Sequence, residues 1–321
     1  MNSWIWQTCV NAYCYCRYPR LVWFAAKWRD GWLPSPALPV NSIDKFLWRK
    51  IFDRDPETVA MSDKLLAKDI AVQRVPEIKV PGTLWVGTQF EDIPEDILAG
   101  DVVVKATHGS GLFHVIHGGQ YDRDELISMT RKWLVTDYHR YHGEWNYRGI
   151  ERRLFVEEML KDKHDQPVRV ESKIYVFGEV PLYSFHFHDR LSKHKKMSLY
   201  DRSGKAQAFI DIMNIEPCWD DAPASHQKMF DTAARLSGGR DHVRVDLYEV
   251  DGDVYFSEYT FYNLGGFLSA DVRAAYPETE VLWDLRRSWF LRTPQTGWRK
   301  AYAKWLNRRL QQCSGDTGER P

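Results

Sequence analysis

Apolar residues recur every three to four positions at 42–52, 61–74, 122–141 and 223–237, and each stretch predicts a helix. Ser62 or Asp63 suits the start of the second, and Gly238 with Gly239 suits the end of the last. Between them, two-residue alternation or short apolar runs predict strands at 102–105, 154–157, 172–177, 182–187, 243–250 and 254–261. Helices and strands intermingle, with several hairpin signals. The pattern therefore predicts an α+β chain rather than a doubly wound parallel sheet.

The two ends differ from this body. Residues 21–32 (LVWFAAKWRDGW) read as a short amphipathic helix, and Pro34, Pro36 and Pro39 break it into a linker, so 1–40 is expected to be an appendage. Residues 286–309 hold eight Lys or Arg and no Asp or Glu, with Trp289, Phe290, Trp298, Tyr302 and Trp305 among them. A docked C-terminal helix with a solvated basic face is the favoured reading. The competing one is peripheral contact with an anionic membrane. The expected organisation is an N-terminal extension at 1–40, a body at 41–285 and a basic C-terminal helix and tail at 286–321. Within the body the divisions fall at 41–100, 101–187 and 188–285.

Composition narrows the class. A chain of 321 residues with 44% hydrophobic and 27% charged content can bury a sizeable core, which excludes disordered, collagen-like and disulfide-scaffold classes. Its 44 basic and 44 acidic side chains cancel. The ends nevertheless carry the positive charge, four basic against one acidic at 1–40 and nine against two at 286–321, leaving the body with 31 against 41. An acidic body argues against a nucleic-acid partner. Five cysteines without C-x-x-C spacing or a nearby His cluster suit a reducing compartment. Polar Gln7, Asn11, Arg17 and Arg20 interrupt the N-terminal apolar runs, so no export signal or spanning helix is expected and a cytoplasmic location is.

Candidate chemistry lies in three segments. The first is Val243-Arg-Val-Asp-Leu-Tyr-Glu-Val250, a D-G turn, and Val254-Tyr-Phe-Ser-Glu-Tyr-Thr260, which form a hairpin. A three-residue loop would set Asp246 opposite Glu258, whereas a two-residue loop would set it opposite Ser257. Two carboxylates facing each other destabilise a sheet unless neutralised, and a divalent cation such as Mg²⁺ would do so. Taken alone, the pair also fits one carboxylate turned to solvent. The second segment, Val102-Val-Val-Lys-Ala-Thr-His-Gly-Ser-Gly111, runs from a strand into a small flexible loop whose amides could wrap phosphate oxygens while Lys105 supplies charge. It lacks both P-loop and Rossmann spacing, and an ordinary Gly-rich hairpin explains it equally well. In the third, Leu154-Phe-Val-Glu-Glu-Met-Leu160 brings two acids to a strand end, and Lys173 shares a strand face with Tyr175 and Phe177.

These segments, in this order, resemble the ATP-grasp superfamily, and within it the TupA-like branch associated with bacterial surface polysaccharides. The likeness spans about 41–285. It also takes in Asp44-Lys-Phe-Leu-Trp-Arg-Lys50, Asp53-Arg-Asp-Pro56, Ser62-Asp-Lys64 and Glu144-Trp-Asn-Tyr147. The resemblance implies an ATP-grasp fold, with the nucleotide held between two α+β subdomains built on antiparallel sheets. It implies that Lys105 and Lys173 hold the phosphates of ATP under the loop of His108, Gly109, Ser110 and Gly111, and that Glu157 and Glu158 sit at the adenine and ribose hinge. Asp246 and Glu258 would hold Mg²⁺, and Arg244 would approach the reacting carboxylate or the transferred phosphoryl group. Thr260 stands where many members carry an Asn ligand, and Ser172 stands where this branch usually has Tyr before the lysine.

The implied activity is an ADP-forming carboxylate–amine ligase, joining an amine such as an amino acid to a carboxylated sugar in capsule or other surface polysaccharide biosynthesis. Acceptor residues are expected within 178–222 and 262–271. A nucleotide-sugar-dependent glycosyltransferase and a non-catalytic nucleotide-binding module use similar groups and remain alternatives at this point.

Overall fold

The structure is a computed structural model describing residues 3–28, 32–168, 170–189, 194–209, 215–219, 221–267, 273 and 276–315. Parts of the expected acceptor stretches, 178–222 and 262–271, and the last residues of the basic tail lie outside the described residues. The helices are α1 (Ser3–Arg17), α2 (Pro19–Lys27), α3 (Ser42–Phe52), α4 (Pro56–Ser62), α5 (Leu66–Arg74), α6 (Glu95–Leu98), α7 (Arg123–Val135), α8 (His139–His142) and α9 (His226–Ser237), followed by Glu278–Leu282, Trp289–Arg292 and Gly297–Gly315. The strands are β1 (Thr83–Gly87), β2 (Val102–Ala106), β3 (Phe113–Ile116), β4 (Leu154–Glu158), β5 (Val170–Phe177), β6 (Val180–His188), β7 (Lys196–Asp201), β8 (Ala206–Gln207), β9 (Glu216–Pro217), β10 (Val243–Val250) and β11 (Asp253–Thr260).

The strands form two sheets, so the chain is α+β. Four strands run in the order β1-β4-β2-β3, all antiparallel, and seven lie in a sheet ordered β11-β10-β5-β6-β7-β8 with β9 beside β7. The smaller sheet has its own core, where Val102, Val104, Val156 and Ile116 pack with Leu126 and Trp133 of α7. Strand periodicity divides the larger sheet. Ile174, Val176, Val243, Val245, Leu247 and Phe256 join Met229, Phe230, Ala233 and Leu236 of α9 in one core, and the intervening residues face the other way.

Local signals explain several boundaries. The predicted helix at 61–74 is two helices because the chain turns at Asp63, whose Oδ1 accepts from the amides of Leu65 (2.9 Å) and Leu66 (3.2 Å) just before α5. Asp122 caps α7 by accepting from Glu125 N at 2.9 Å. Gly238 ends α9 with a left-handed φ of 60°.

The ends are integral to the core rather than appended to it. Val10 and Cys14 of α1, Val22 and Ala25 of α2, and Ala37 are buried with Phe46, Trp48, Tyr302 and Leu306. Tyr13 packs edge-on against Trp298 at 4.9 Å. Trp48 Nε1 donates to Tyr302 Oη (2.9 Å), and that hydroxyl donates to the Ala37 carbonyl (3.0 Å). The helix Gly297–Gly315 is thus docked, with Lys300, Lys304 and Arg308 on its exposed side. Among the described residues no helix is long and apolar enough to cross a membrane.

Candidate active site

The polar face of the larger sheet floors a cavity of about 510 Å³, lined by Lys173, Tyr175, Arg244, Glu258 and Thr260 from β5, β10 and β11, by Tyr183, Phe185 and Phe187 of β6, and by Ser110 from the Gly-rich loop. Strand register sets its chemistry. Asp246 is paired with Glu258 on one side and with Lys173 on the other, and Arg244 is paired with Thr260. The opposition of Asp246 and Glu258 therefore exists, but the loop that produces it has two residues. Asp251 (φ 51°) and Gly252 (φ 87°) form the turn and Val250 pairs with Asp253. A register shift between Asp246 and Leu247, with Ser257 as the extra residue, restores the carboxylate pairing.

Cations neutralise both acids. Asp246 is fully buried and accepts from Lys173 Nζ (2.5 Å), from Arg244 Nε (2.6 Å) and from Arg244 Nη2 (2.6 Å). Arg244 also donates to Thr260 Oγ1 at 2.9 Å. Burial works against the guanidinium charge, and the Asp246 carboxylate outweighs it, holding the Arg244 pKa above its usual value. Lys173 meets a second acid, Glu171, at 2.9 Å. Glu258 lies 3.3 Å from Lys64 and 3.7 Å from Arg244. Lys64 also donates to the Gly109 carbonyl at 2.7 Å, tying the Gly-rich loop to this acid.

That loop closes the β2–β3 hairpin. Gly109 (φ 76°) and Gly111 (φ 75°) adopt left-handed conformations, and a side chain at Gly109 would collide with the ring of Tyr138. Ser110 is exposed on the cavity wall. His108 points inward instead. Its Nε2 lies 3.1 Å from the Trp133 carbonyl, and burial holds its pKa below the usual histidine value.

Lys105 and the acids at 157 and 158 sit beside the cavity rather than in its wall. Lys105 and Lys68 flank Glu157: Lys105 pairs with Oε2, and Lys68 lies 2.5 Å from Oε1. Burial alone would raise the Glu157 carboxyl, and the ammonium groups of Lys105 and Lys68 reverse this and leave it below the usual carboxylate range. Glu158 is turned outward and accepts from Gly82 N at 2.7 Å. Burial, with the charges of Glu171, Glu157 and Glu258, holds the Tyr248 hydroxyl well above its usual pKa. Lys64, Lys68 and Glu171 complete these pairings, and none was singled out for a role from the sequence. Of the three, Lys64 alone lies in a segment noted from the sequence, Ser62-Asp-Lys64.

Residues 44–274 match the family described as TupA-like ATPgrasp. The chain belongs to the TupA-like ATP-grasp family and carries an ATP-grasp fold. No curated protein sequence matches it. Among solved structures it is similar to the D-alanine–D-alanine ligase of Bacillus anthracis complexed with ATP, with 16% identity over 81% of this chain and 69% of that one and a TM-score of 0.39. The D-alanine–D-alanine ligase of Helicobacter pylori is similar at 14% identity over 78% and 68%, with a TM-score of 0.40. The ATP-grasp ligase PsnB, complexed with a minimal precursor, is similar at 14% identity over 71% and 61%, with a TM-score of 0.39.

Asp246 and Glu258 carry hard oxygen donors on adjacent strands, the donor type that suits Mg²⁺, and in this structure Lys173, Arg244 and Lys64 supply their counter-charge. Among the described residues no group of three or more His, Cys, Asp or Glu side chains is arranged to hold a metal ion, so water or phosphate oxygens would complete the coordination.

Proposed function

We propose that this chain is an ATP-dependent carboxylate–amine ligase that forms ADP and acts through an acyl phosphate. The observation that carries the reading is the grouping of Lys173, Arg244, Asp246 and Glu258 on one sheet face, tied by Lys64 to a Gly-rich loop that presents Ser110 to the same cavity. A carboxylate resists amines because its leaving group would be oxide, and transferring a phosphoryl group to it creates a good one. Fixed cations stabilise the charge on that group during transfer.

Lys105 and Lys173 hold the phosphates, the loop of Gly109, Ser110 and Gly111 covers them, and Arg244 orients the carboxylate. The main chain at Glu157 and Glu158 forms the base-binding hinge. The Glu157 side chain keeps Lys105 in place instead of reaching a ribose, because two ammonium groups already occupy it. Mg²⁺, held by Asp246 and Glu258, would neutralise phosphate charge when bound. ATP would supply the phosphoryl group and Mg²⁺ part of the counter-charge, and Lys105, Lys173 and Arg244 supply the rest of it and the alignment.

The substrate pair we propose is a carboxylated sugar and an amino acid or similar amine, within surface polysaccharide biosynthesis in the cytoplasm. Exposed aromatics and bases at the two ends support peripheral contact with an anionic membrane, where a lipid-linked glycan acceptor would be presented. Trp4, Trp23 and Trp32 are 73%, 61% and 75% exposed beside the cationic Arg17, Arg20 and Lys27.

The test is incubation with Mg-ATP, a panel of uronic acids and a panel of amino acids, following ADP and AMP. ADP that requires both a carboxylate and an amine supports the reading. AMP, or activity and thermal protection only with a UDP-sugar, overturns it.

A further inference from the structure

The cavity wall carries the cations Lys173, Arg244, Lys195 and Arg273. It also carries acceptors that no described side chain satisfies. Glu144 is 7% exposed and lines the cavity, and no described Lys, Arg or His nitrogen lies within 4.0 Å of its carboxylate, nor does any described group hydrogen-bond to it. A buried carboxylate without a partner is costly, so a native protein keeps one for a ligand or for chemistry.

The nearest cation is already engaged. Lys50, buried on α3, donates to the Gly265 carbonyl and stands 4.0 Å from the centre of the Phe267 ring. Burial pulls the Lys50 ammonium down in pKa and pushes the Glu144 carboxyl up, and each partly offsets the other at longer range. The turn around Gly265 abuts His142, two residues before Glu144, where a side chain on Gly265 would meet the imidazole at 3.1 Å. This turn carries Asn263, whose buried Oδ1 also lacks a partner and which lines the same cavity. The titratable groups around Glu144 are Lys50, Tyr138, Tyr147, Tyr262, whose buried hydroxyl is also unpartnered, His142 and, beyond the tyrosines, Glu258. Two unmet acceptors in one corner ask for a donor of several N–H bonds carrying positive charge.

We propose that Glu144 and Asn263 form the subsite for the ammonium group of the amine substrate, with Glu144 taking its proton. This rests on the ligase reading above. The ammonium gives one proton to the Glu144 carboxylate and becomes a neutral amine. Its lone pair attacks the acyl carbon, the carbon–oxygen bond to phosphate breaks with its electron pair going to phosphate, and the second proton departs with that phosphate. A carboxylate substrate held by Lys173 and Arg244 and an ammonium held by Glu144 then meet in the one cavity these residues line.

The experiment compares two nucleophiles. Wild-type protein receives Mg-ATP, mixed glucuronate and galacturonate, and either an equimolar mixture of the standard amino acids or hydroxylamine, which is uncharged at neutral pH and needs no base. Glu144→Gln should lower the ratio of amino-acid-driven to hydroxylamine-driven ADP release by about 100-fold. Glu144→Asp should recover part of it. If Glu144→Gln does not fold, Asn263→Leu reads the same ratio through the neighbouring acceptor and should lower it too. An unchanged ratio overturns the subsite, as does a wild type that uses hydroxylamine but no amino acid. A wild type silent with both nucleophiles overturns the ligase reading, and the subsite with it.

Discussion

Asp246 stands directly opposite Glu258 across the β10–β11 hairpin, and the two acids differ sharply in surroundings. Asp246 is fully buried and holds both Lys173 and Arg244, whereas the Glu258 side chain is 26% exposed. Removing Asp246 takes the bidentate partner from the largely buried Arg244 and leaves Lys173 with Glu171 alone, so Asp246→Ala should destabilise the fold by about 3–5 kcal/mol. Glu258→Ala should cost less than about 1 kcal/mol, because solvent can serve Lys64 and Arg244 in its place. Both should reduce Mg-ATP turnover by about 100-fold or more if the pair binds the metal. Urea denaturation and ADP release on the same preparations separate the two effects, and normal turnover in Glu258→Ala would remove the metal assignment.

Lys105 shares Glu157 with Lys68, so its loss leaves that carboxylate paired. Lys105→Ala should therefore keep the fold within about 1 kcal/mol of wild type. ATP-dependent phosphate release should fall by about 100-fold, since a fixed cation at the phosphates acts on the transition state. Lys68→Ala should show the opposite balance. Its ammonium is more deeply buried and also serves the Pro81 carbonyl (2.8 Å) and Thr83 Oγ1 (3.0 Å), so stability should suffer first.

Two-residue periodicity made the polar face of the larger sheet legible: once β5 and β10 are strands, Lys173, Tyr175, Arg244 and Asp246 must share a side. The facing of Asp246 and Glu258 was reached by counting a three-residue loop, and the two-residue turn with its bulge arrives at the same pair by a route that no local pattern announces. Strand β1 escaped notice because Leu84 and Val86 are exposed, so it has no apolar inward rhythm to read. Nothing local to Lys64 or Lys68 marks either as part of the site. Their partners Glu258 and Glu157 lie far along the chain, and only the fold brings them together. The same holds for the ends. Nothing local to Cys14 or Tyr302 tells that they share a core, although one apolar position per helical turn was the available clue.

Tyr302 offers a measure of that docking. Its hydroxyl accepts from Trp48 Nε1 and donates to the Ala37 carbonyl, all out of contact with water. Tyr302→Phe keeps the ring and leaves both buried groups unsatisfied, which should cost about 1–3 kcal/mol. A lowered urea midpoint with an unchanged slope would report it, and no change would mean that the C-terminal helix contributes little to the native core.

Membrane contact, if it occurs, should depend on the exposed tryptophans as well as on charge. Replacing Trp4, Trp23 and Trp32 by Ser removes apolar surface that water already reaches, so the fold should hold. Sedimentation with vesicles containing phosphatidylglycerol should then fall several-fold, and added salt should weaken wild-type binding by screening Arg17, Arg20, Lys27, Lys300 and Lys304. Equal sedimentation of wild type and variant would confine these residues to another role.

His186 gives a pH test independent of function. It lies buried on β6, with Nε2 3.0 Å from Ser184 Oγ and its ring 4.9 Å from that of Tyr200. Burial, reinforced by His226 and His188, lowers its pKa from 6.5 to about 3. The unfolded chain therefore binds a proton between these values that the folded chain refuses. The stability contributed by neutral His186 is fully present above pH 6.5 and lost as pH falls toward 3, at about 1.4 kcal/mol per pH unit. Between pH 6.5 and pH 5 the wild type should lose about 2 kcal/mol more than His186→Gln, which has no proton to gain. Urea unfolding at both pH values checks this, and parallel losses in the two proteins would show that the imidazole is already charged, or already wet, in the folded state.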